Sequence, residues 1–216
     1  MNKRQTRIYN EIISKYNFDE EQKSQIELGL ENNLNVNIYA KPKFSSEQMK
    51  EIRQGLNYEL NVSIYAKPEF NADQMGEIRV GLEQGLDISW YAKPEFNEFQ
   101  MCQIRLGLED ELDVSIYAKP EFDSWKMFYI KIGLREKLEI SDYARTEFHF
   151  DQILEIIKGL RKKLDVSIYA RPEFDKFQME QIRLGLENGI DVILYLNPGI
   201  DGIEMQRIRL ELERNK

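Results

Sequence analysis

Apolar and polar positions along this chain follow a block of 26 residues that repeats without slipping. Tyrosines stand at Tyr39, Tyr65, Tyr91, Tyr117, Tyr143, Tyr169 and Tyr195. Leucines stand at Leu30, Leu56, Leu82, Leu108, Leu134, Leu160, Leu186 and Leu212. Every proline falls in one column (Pro42, Pro68, Pro94, Pro120, Pro172, Pro198), broken only by Thr146. A fixed period of this length marks a repeat architecture in which each block is one supersecondary unit.

Within a block the pattern predicts two elements. In residues 70–95, Met75, Ile78 and Leu82 fall at i, i+3 and i+7, one apolar face of a helix that begins at Ala72. The column Asp19, Ser45, Asn71, Asn97, Asp123, His149, Asp175 and Asp201 precedes these helices. All but His149 are good N-caps, with a side-chain oxygen for a free N–H of the first turn. The phenylalanine before each cap and the methionine column read as a hydrophobic staple. Gly85 and Gly189 suit a left-handed position just past the helix. The second element is short, such as Val62 to Lys67, capped by Asn61, Asp87, Asp113, Asp165 or Asp191 and ended by proline. A strand is the alternative for Val-Ser-Ile-Tyr-Ala, but an acidic cap before it and proline after it favour a short α or 3-10 helix.

Such a unit cannot bury its apolar face alone. The predicted fold is therefore all-α, an α-solenoid of about eight 26-residue helix pairs, each a long helix plus a short α or 3-10 helix. Residues 1–17 read as an N-terminal helical cap, 18–200 as the repeat solenoid and 201–216 as a C-terminal capping helix, in one continuous domain. A glycine column (Gly29, Gly55, Gly81, Gly107, Gly133, Gly159, Gly185) lies inside the long helices. Glycine there costs about 1 kcal/mol against alanine, and close approach of the neighbouring helix is the expected reason.

The phrase Tyr91-Ala92-Lys93-Pro94-Glu95-Phe96, followed by Gln100-Met101 and Gln103-Ile104-Arg105-Leu106-Gly107-Leu108, resembles a family of helical repeat proteins encoded by bacterial phages and mobile elements. The resemblance covers nearly the whole chain. It implies a cytoplasmic accessory protein at work in conflict between host and mobile element, with host defence complexes such as CRISPR nucleases among the targets. It carries over no catalytic residues.

Composition narrows the function further. The net charge of −8 disfavours a uniformly basic nucleic-acid surface. No apolar run approaches the roughly 18 residues that span a bilayer, and no signal peptide is read at Met1-Asn2-Lys3-Arg4-Gln5. The single cysteine, Cys102, excludes an intramolecular disulfide and fits a reducing compartment. With the single histidine, His149, it also disfavours a Cys/His metal cage or a histidine-based triad. No phosphate loop or acid–base carboxylate motif is present. The expectation is a protein that is not an enzyme, with no cofactor, no metal and no membrane contact. His149 reads as an atypical cap. Cys102 shares its column with Lys50, Gly76 and Phe128 and reads as a partly exposed bystander.

Two patterns could bind a partner. The first is a pair of cation columns: Lys41, Lys67, Lys93, Lys119, Arg145 and Arg171, and Arg53, Arg79, Arg105, Lys131, Arg183 and Arg209. Cations at fixed pitch could track a phosphate backbone. In the second column Arg53, Arg79, Arg105 and Lys131 are followed sixteen residues later by Glu69, Glu95, Glu121 and Glu147, and in the first unit Glu27 faces Lys43, so internal pairing is expected there. The second pattern is a set of off-column aromatics. Phe99, Trp125, Phe177 and Ile203 share a position that holds Glu47, Asp73 or Asp151 in other units, so it should face solvent. Trp125, Phe128 and Tyr129 lie at i, i+3 and i+4 and should cluster. Phe99, Trp125, Phe128 and Tyr129, with Tyr58 and Trp90, are the candidate partner-binding residues; repacking around Thr146 is the structural alternative. The expected function is protein binding, with a defence nuclease complex as candidate partner. The alternatives are nucleic-acid binding through the Lys41 column, or self-association as a scaffold.

Overall fold

The structure, a computed structural model, describes residues 1–216; every regular element is helical and none is a strand. The chain divides into two compact units, residues 1–109 and 110–216. The first holds α1 (Lys3–Lys15), α2 (Glu20–Glu31), α3 (Ser46–Asn57), α4 (Ala72–Glu83) and α5 (Glu98–Glu109). The second holds α6 (Ser124–Arg135), α7 (Phe150–Arg161), α8 (Lys176–Glu187) and α9 (Gly202–Arg214). Within each unit every helix packs on the next in sequence, the order of a solenoid. The repeat helices within a unit run parallel. In the second unit Gln152 near the start of α7 bonds the Phe174 carbonyl before α8, while Asn188 at the end of α8 bonds Glu213 at the end of α9.

The caps follow the sequence, and a partner to them emerges. Asp19, Ser45, Asn71 and Asp175 each accept from the glutamine N–H three residues on, and that glutamine's side chain accepts from the cap's own N–H, a capping box. The same glutamine then reaches the next repeat. Gln22, Gln48, Gln74 and Gln152 are buried and donate through Nε2 to the carbonyls of Phe44, Phe70, Phe96 and Phe174 at 2.6–2.7 Å. Each amide thus closes one helix and ties it to the next. Lys126 takes this place in α6, and its Nζ reaches the Thr146 carbonyl at 3.1 Å and lies over the Phe122 ring. Burial pushes the Lys126 ammonium below its ordinary value, against the pull of Asp123.

The second element is shorter than the six residues expected. It is a single 3-10 turn of three residues, for example Val62–Ile64 or Val166–Ile168. The repeat in which Thr146 replaces proline has a turn of the same length, Ser141–Tyr143, so proline does not set it. Asp87, Asp113, Asp165 and Asp191 cap these turns through the N–H two residues on, but Asn61 makes no such bond. Past the long helices, Gly85 and Gly189 take the left-handed backbone at φ +70° and +63°. Asn33, Glu59, Glu111, Lys137 and Lys163 hold the same column and the same conformation without glycine's freedom.

The glycine column has a different cause from the one expected. A β-carbon at Gly29, Gly55, Gly81, Gly159 or Gly185 would meet a tyrosine hydroxyl at 1.8–1.9 Å, from the 3-10 segment that follows in the same repeat rather than from a neighbouring long helix. The hydroxyls of Tyr39, Tyr65, Tyr91, Tyr169 and Tyr195 cross these glycines to donate to helix carbonyls at 2.9–3.4 Å. Tyr39, Tyr65, Tyr91, Tyr117, Tyr169 and Tyr195 are fully buried with the phenylalanine and methionine columns. Tyr143 is the exception and is only half-buried. Glu139 stands where other repeats have Asn or Asp, and the 3-10 turn there starts one residue late, at Ser141.

Candidate protein-binding surface

The position shared by Phe99, Trp125, Phe177 and Ile203 is the second residue of a long helix. The Cα–Cβ bond there leans toward the helix start and away from the helix body. These side chains are 64%, 58%, 60% and 79% exposed, as a column that also accepts Glu and Asp requires. Trp125 and Phe128 make an edge-to-face contact at 5.9 Å, and Phe128 and Tyr129 another at 5.2 Å. The sequence reading missed Phe150 and the part His149 plays. Phe150 stacks on Tyr129 at 6.2 Å, lies 6.3 Å from Trp125 and is covered by His149 at 4.3 Å. The one signal was an aromatic in a column otherwise filled by Ser, Ala, Glu, Lys and Gly. His149 sits at the cap position, but its ring pairs with Asp151 at 2.8 Å.

The six candidate residues do not form one cluster. Trp125, Phe128 and Tyr129 meet at the start of α6 in the second unit. Phe99 belongs to the first unit, where it lines a groove with Asp73, Gly76, Glu98 and Cys102, the last partly exposed as expected. Tyr58 lies just past the C-terminus of α3, a full helix length from the helix starts, and is 63% exposed. Trp90 ends the 3-10 turn Ile88–Trp90 and is little more than a third exposed. Phe177 and Ile203 form a second exposed pair, at the starts of α8 and α9. Ile193 and Leu194 on the last 3-10 turn are also exposed.

The second cation column does pair internally, but with other carboxylates. Arg79 meets Glu51 of the preceding helix at 2.8 Å, Arg105 meets Glu77 at 2.7 Å and Arg183 meets Glu155 at 2.8 Å. Each also pairs four residues on, with Glu83, Glu109 or Glu187. Arg53 and Arg209 meet Gln25 and Gln181 at the same offset of 28 residues. Glu69 and Glu95, the partners expected at sixteen residues, stay exposed, and Lys43 lies over the Phe44 ring. A helical side chain leans toward the N-terminus, so an arginine reaches a residue slightly N-terminal of its own level on the neighbouring helix. The columns vary together: where the acceptor is Tyr129, the residue 28 positions on is Ile157.

In the Lys41 column, Lys41, Lys67, Lys93 and Arg145 are exposed, whereas Lys119 and Arg171 are half-buried. Lys119, Arg145 and Arg171 lie over Phe122, Phe148 and Phe174 at 4.8–5.0 Å. From Lys67 onward a glutamate follows each cation two residues later in the same turn (Glu69, Glu95, Glu121, Glu147, Glu173), which lowers the net potential of the column. No helix is long and apolar enough to cross a membrane. Comparison with known protein families, with curated proteins and with solved structures finds no match to this chain.

Proposed function

We propose that this chain is a non-enzymatic repeat protein that binds a protein partner through the apolar side chains exposed at the starts of its long helices. One observation carries this reading: at a single repeat position, Phe99, Trp125, Phe177 and Ile203 are each more than half exposed, while the tyrosine, phenylalanine and methionine columns around them are buried. Large exposed apolar groups repeated at one site are costly in water and mark interaction surfaces, where tryptophan and tyrosine dominate the binding energy. The helices beneath are fixed by caps and glutamine rungs, so little ordering is needed on binding.

In this reading the protein works in the cytoplasm as a phage or mobile-element inhibitor of a host defence complex, without cofactor or metal. The setting rests on the resemblance of the repeated phrase. The net charge of −8 supports a partner with a basic surface, of which the nucleic-acid channel of a CRISPR nuclease is an example. Nucleic-acid binding through the Lys41 column has weaker support, because a glutamate accompanies each cation from Lys67 onward. The test is affinity capture from bacterial lysate, with and without nuclease, read by mass spectrometry. A stoichiometric protein that survives nuclease supports the proposal. Recovery of nucleic acid, with proteins lost on digestion, overturns it in favour of the Lys41 column; recovery of the same chain alone favours self-association.

A further inference from the structure

One apolar groove, at the starts of α8 and α9, lies wholly within the second unit. It has a volume of about 440 Å³, and Asp175, Phe177, Asp201, Gly202, Ile203 and Glu204 line it. Its floor depends on glycine: a β-carbon on Gly202 would fall 2.7 Å from the β-carbon of Phe177. Phe177 and Ile203 supply the apolar surface, at 60% and 79% exposure.

The rim is carboxylate. Asp175 uses Oδ1 to accept from the Gln178 N–H at 2.8 Å, and Asp201 uses Oδ1 to accept from the Ile203 and Glu204 N–H groups at 2.9 Å. In both, Oδ2 accepts nothing within the chain. Glu204 is already held by Arg207. No cation lines this groove; Lys176 lines the adjacent one toward α7. The apolar floor would take an aliphatic or aromatic side chain, and the two free carboxylate oxygens would take a cation beside it.

We infer that this groove receives a segment of the partner protein in which an apolar residue is flanked by lysine or arginine. The inference rests on the protein-binding reading and names the chemistry of the partner's docking segment. The test is selection of a random peptide display library on the full chain. Enriched peptides should carry an apolar residue within two positions of Lys or Arg. Their affinity should fall about tenfold or more for Phe177→Ser with Ile203→Ser, and likewise for Asp175→Asn with Asp201→Asn. Asparagine keeps the caps, as Asn71 does on α4, and removes only the charge. No enrichment, enrichment of acidic or uncharged peptides, or affinity unchanged in either pair overturns the inference. If lysate capture still yields a protein, the partner docks elsewhere on the chain and only this groove is lost. If both experiments fail, the protein-binding reading falls with it.

Discussion

The hydroxyl of Tyr65 occupies the space that a side chain on Gly55 would need, 1.9 Å from where the β-carbon would sit. The hydroxyl uses that space to donate to the Glu51 carbonyl. Gly55→Ala sets a gain in helix propensity of about 1 kcal/mol against overpacking and a lost hydrogen bond, together about 2–4 kcal/mol. The expected net is a loss of about 2 kcal/mol in urea unfolding. Adding Tyr65→Phe removes the obstructing oxygen and should recover part of it. A double mutant no more stable than Gly55→Ala alone would show that the hydroxyl is not the obstacle.

Glu59, Glu111, Lys137 and Lys163 hold a left-handed backbone that glycine holds at Gly85 and Gly189. A β-carbon in this region costs about 1 kcal/mol, part of which glycine's greater freedom in the unfolded chain takes back. Each of the four, replaced singly by glycine, should gain a few tenths of a kcal/mol of stability, read as a raised urea midpoint. A lowered midpoint at any of them would mean that the side chain contributes more than its backbone strain.

Glu155 is fully buried and bridges Arg183 and Lys158. Removing Arg183 as Arg183→Met leaves a buried carboxylate short of its main partner, which should cost about 3–5 kcal/mol. Glu155→Gln should cost far less, because Arg53–Gln25 and Arg209–Gln181 already build this rung with an amide. Chemical denaturation of the two variants side by side checks the order, and equal losses would contradict it.

Burial pushes the phenols of Tyr39, Tyr65, Tyr91, Tyr117 and Tyr169 well above their ordinary value, and that of Tyr195 up to about 12. The folded state therefore holds these protons more tightly than the unfolded chain, whose tyrosines titrate near pH 10. Their contribution is full below about pH 10 and is lost as pH rises through the folded values. Absorbance at alkaline pH should show these six phenols ionising only as helicity is lost. Ionisation of all of them near pH 10 with helicity intact would contradict their burial.

Features set by spacing along the chain were legible in sequence. The period of 26, the caps at Asn71 and Asp175 and the left-handed glycines Gly85 and Gly189 depend only on residues a few positions apart. Features that depend on how neighbouring helices align were not. The partner of Arg79 is Glu51 because its side chain leans backward onto the previous helix, a direction that counting forward to Glu95 does not register. The bond of Gln48 to the Phe70 carbonyl appears only once the helices are stacked. Tyr143 matches its column in sequence and departs from it in space, where the 3-10 turn before it starts one residue late. Within the candidate surface, exposure of Trp125 followed from its column, while the addition of Phe150 to its cluster required the packing of α7 on α6.

The most direct measurement is capture by three baits in parallel: the unaltered chain, Trp125→Ser with Phe177→Ser, and Lys67→Gln with Lys93→Gln. All three should keep the same helicity, because the substituted side chains are exposed. A nuclease-resistant protein partner should be held by the first and third baits and lost, by a factor of about ten or more, from the second. A partner retained by the aromatic variant and lost from the lysine variant would contradict it.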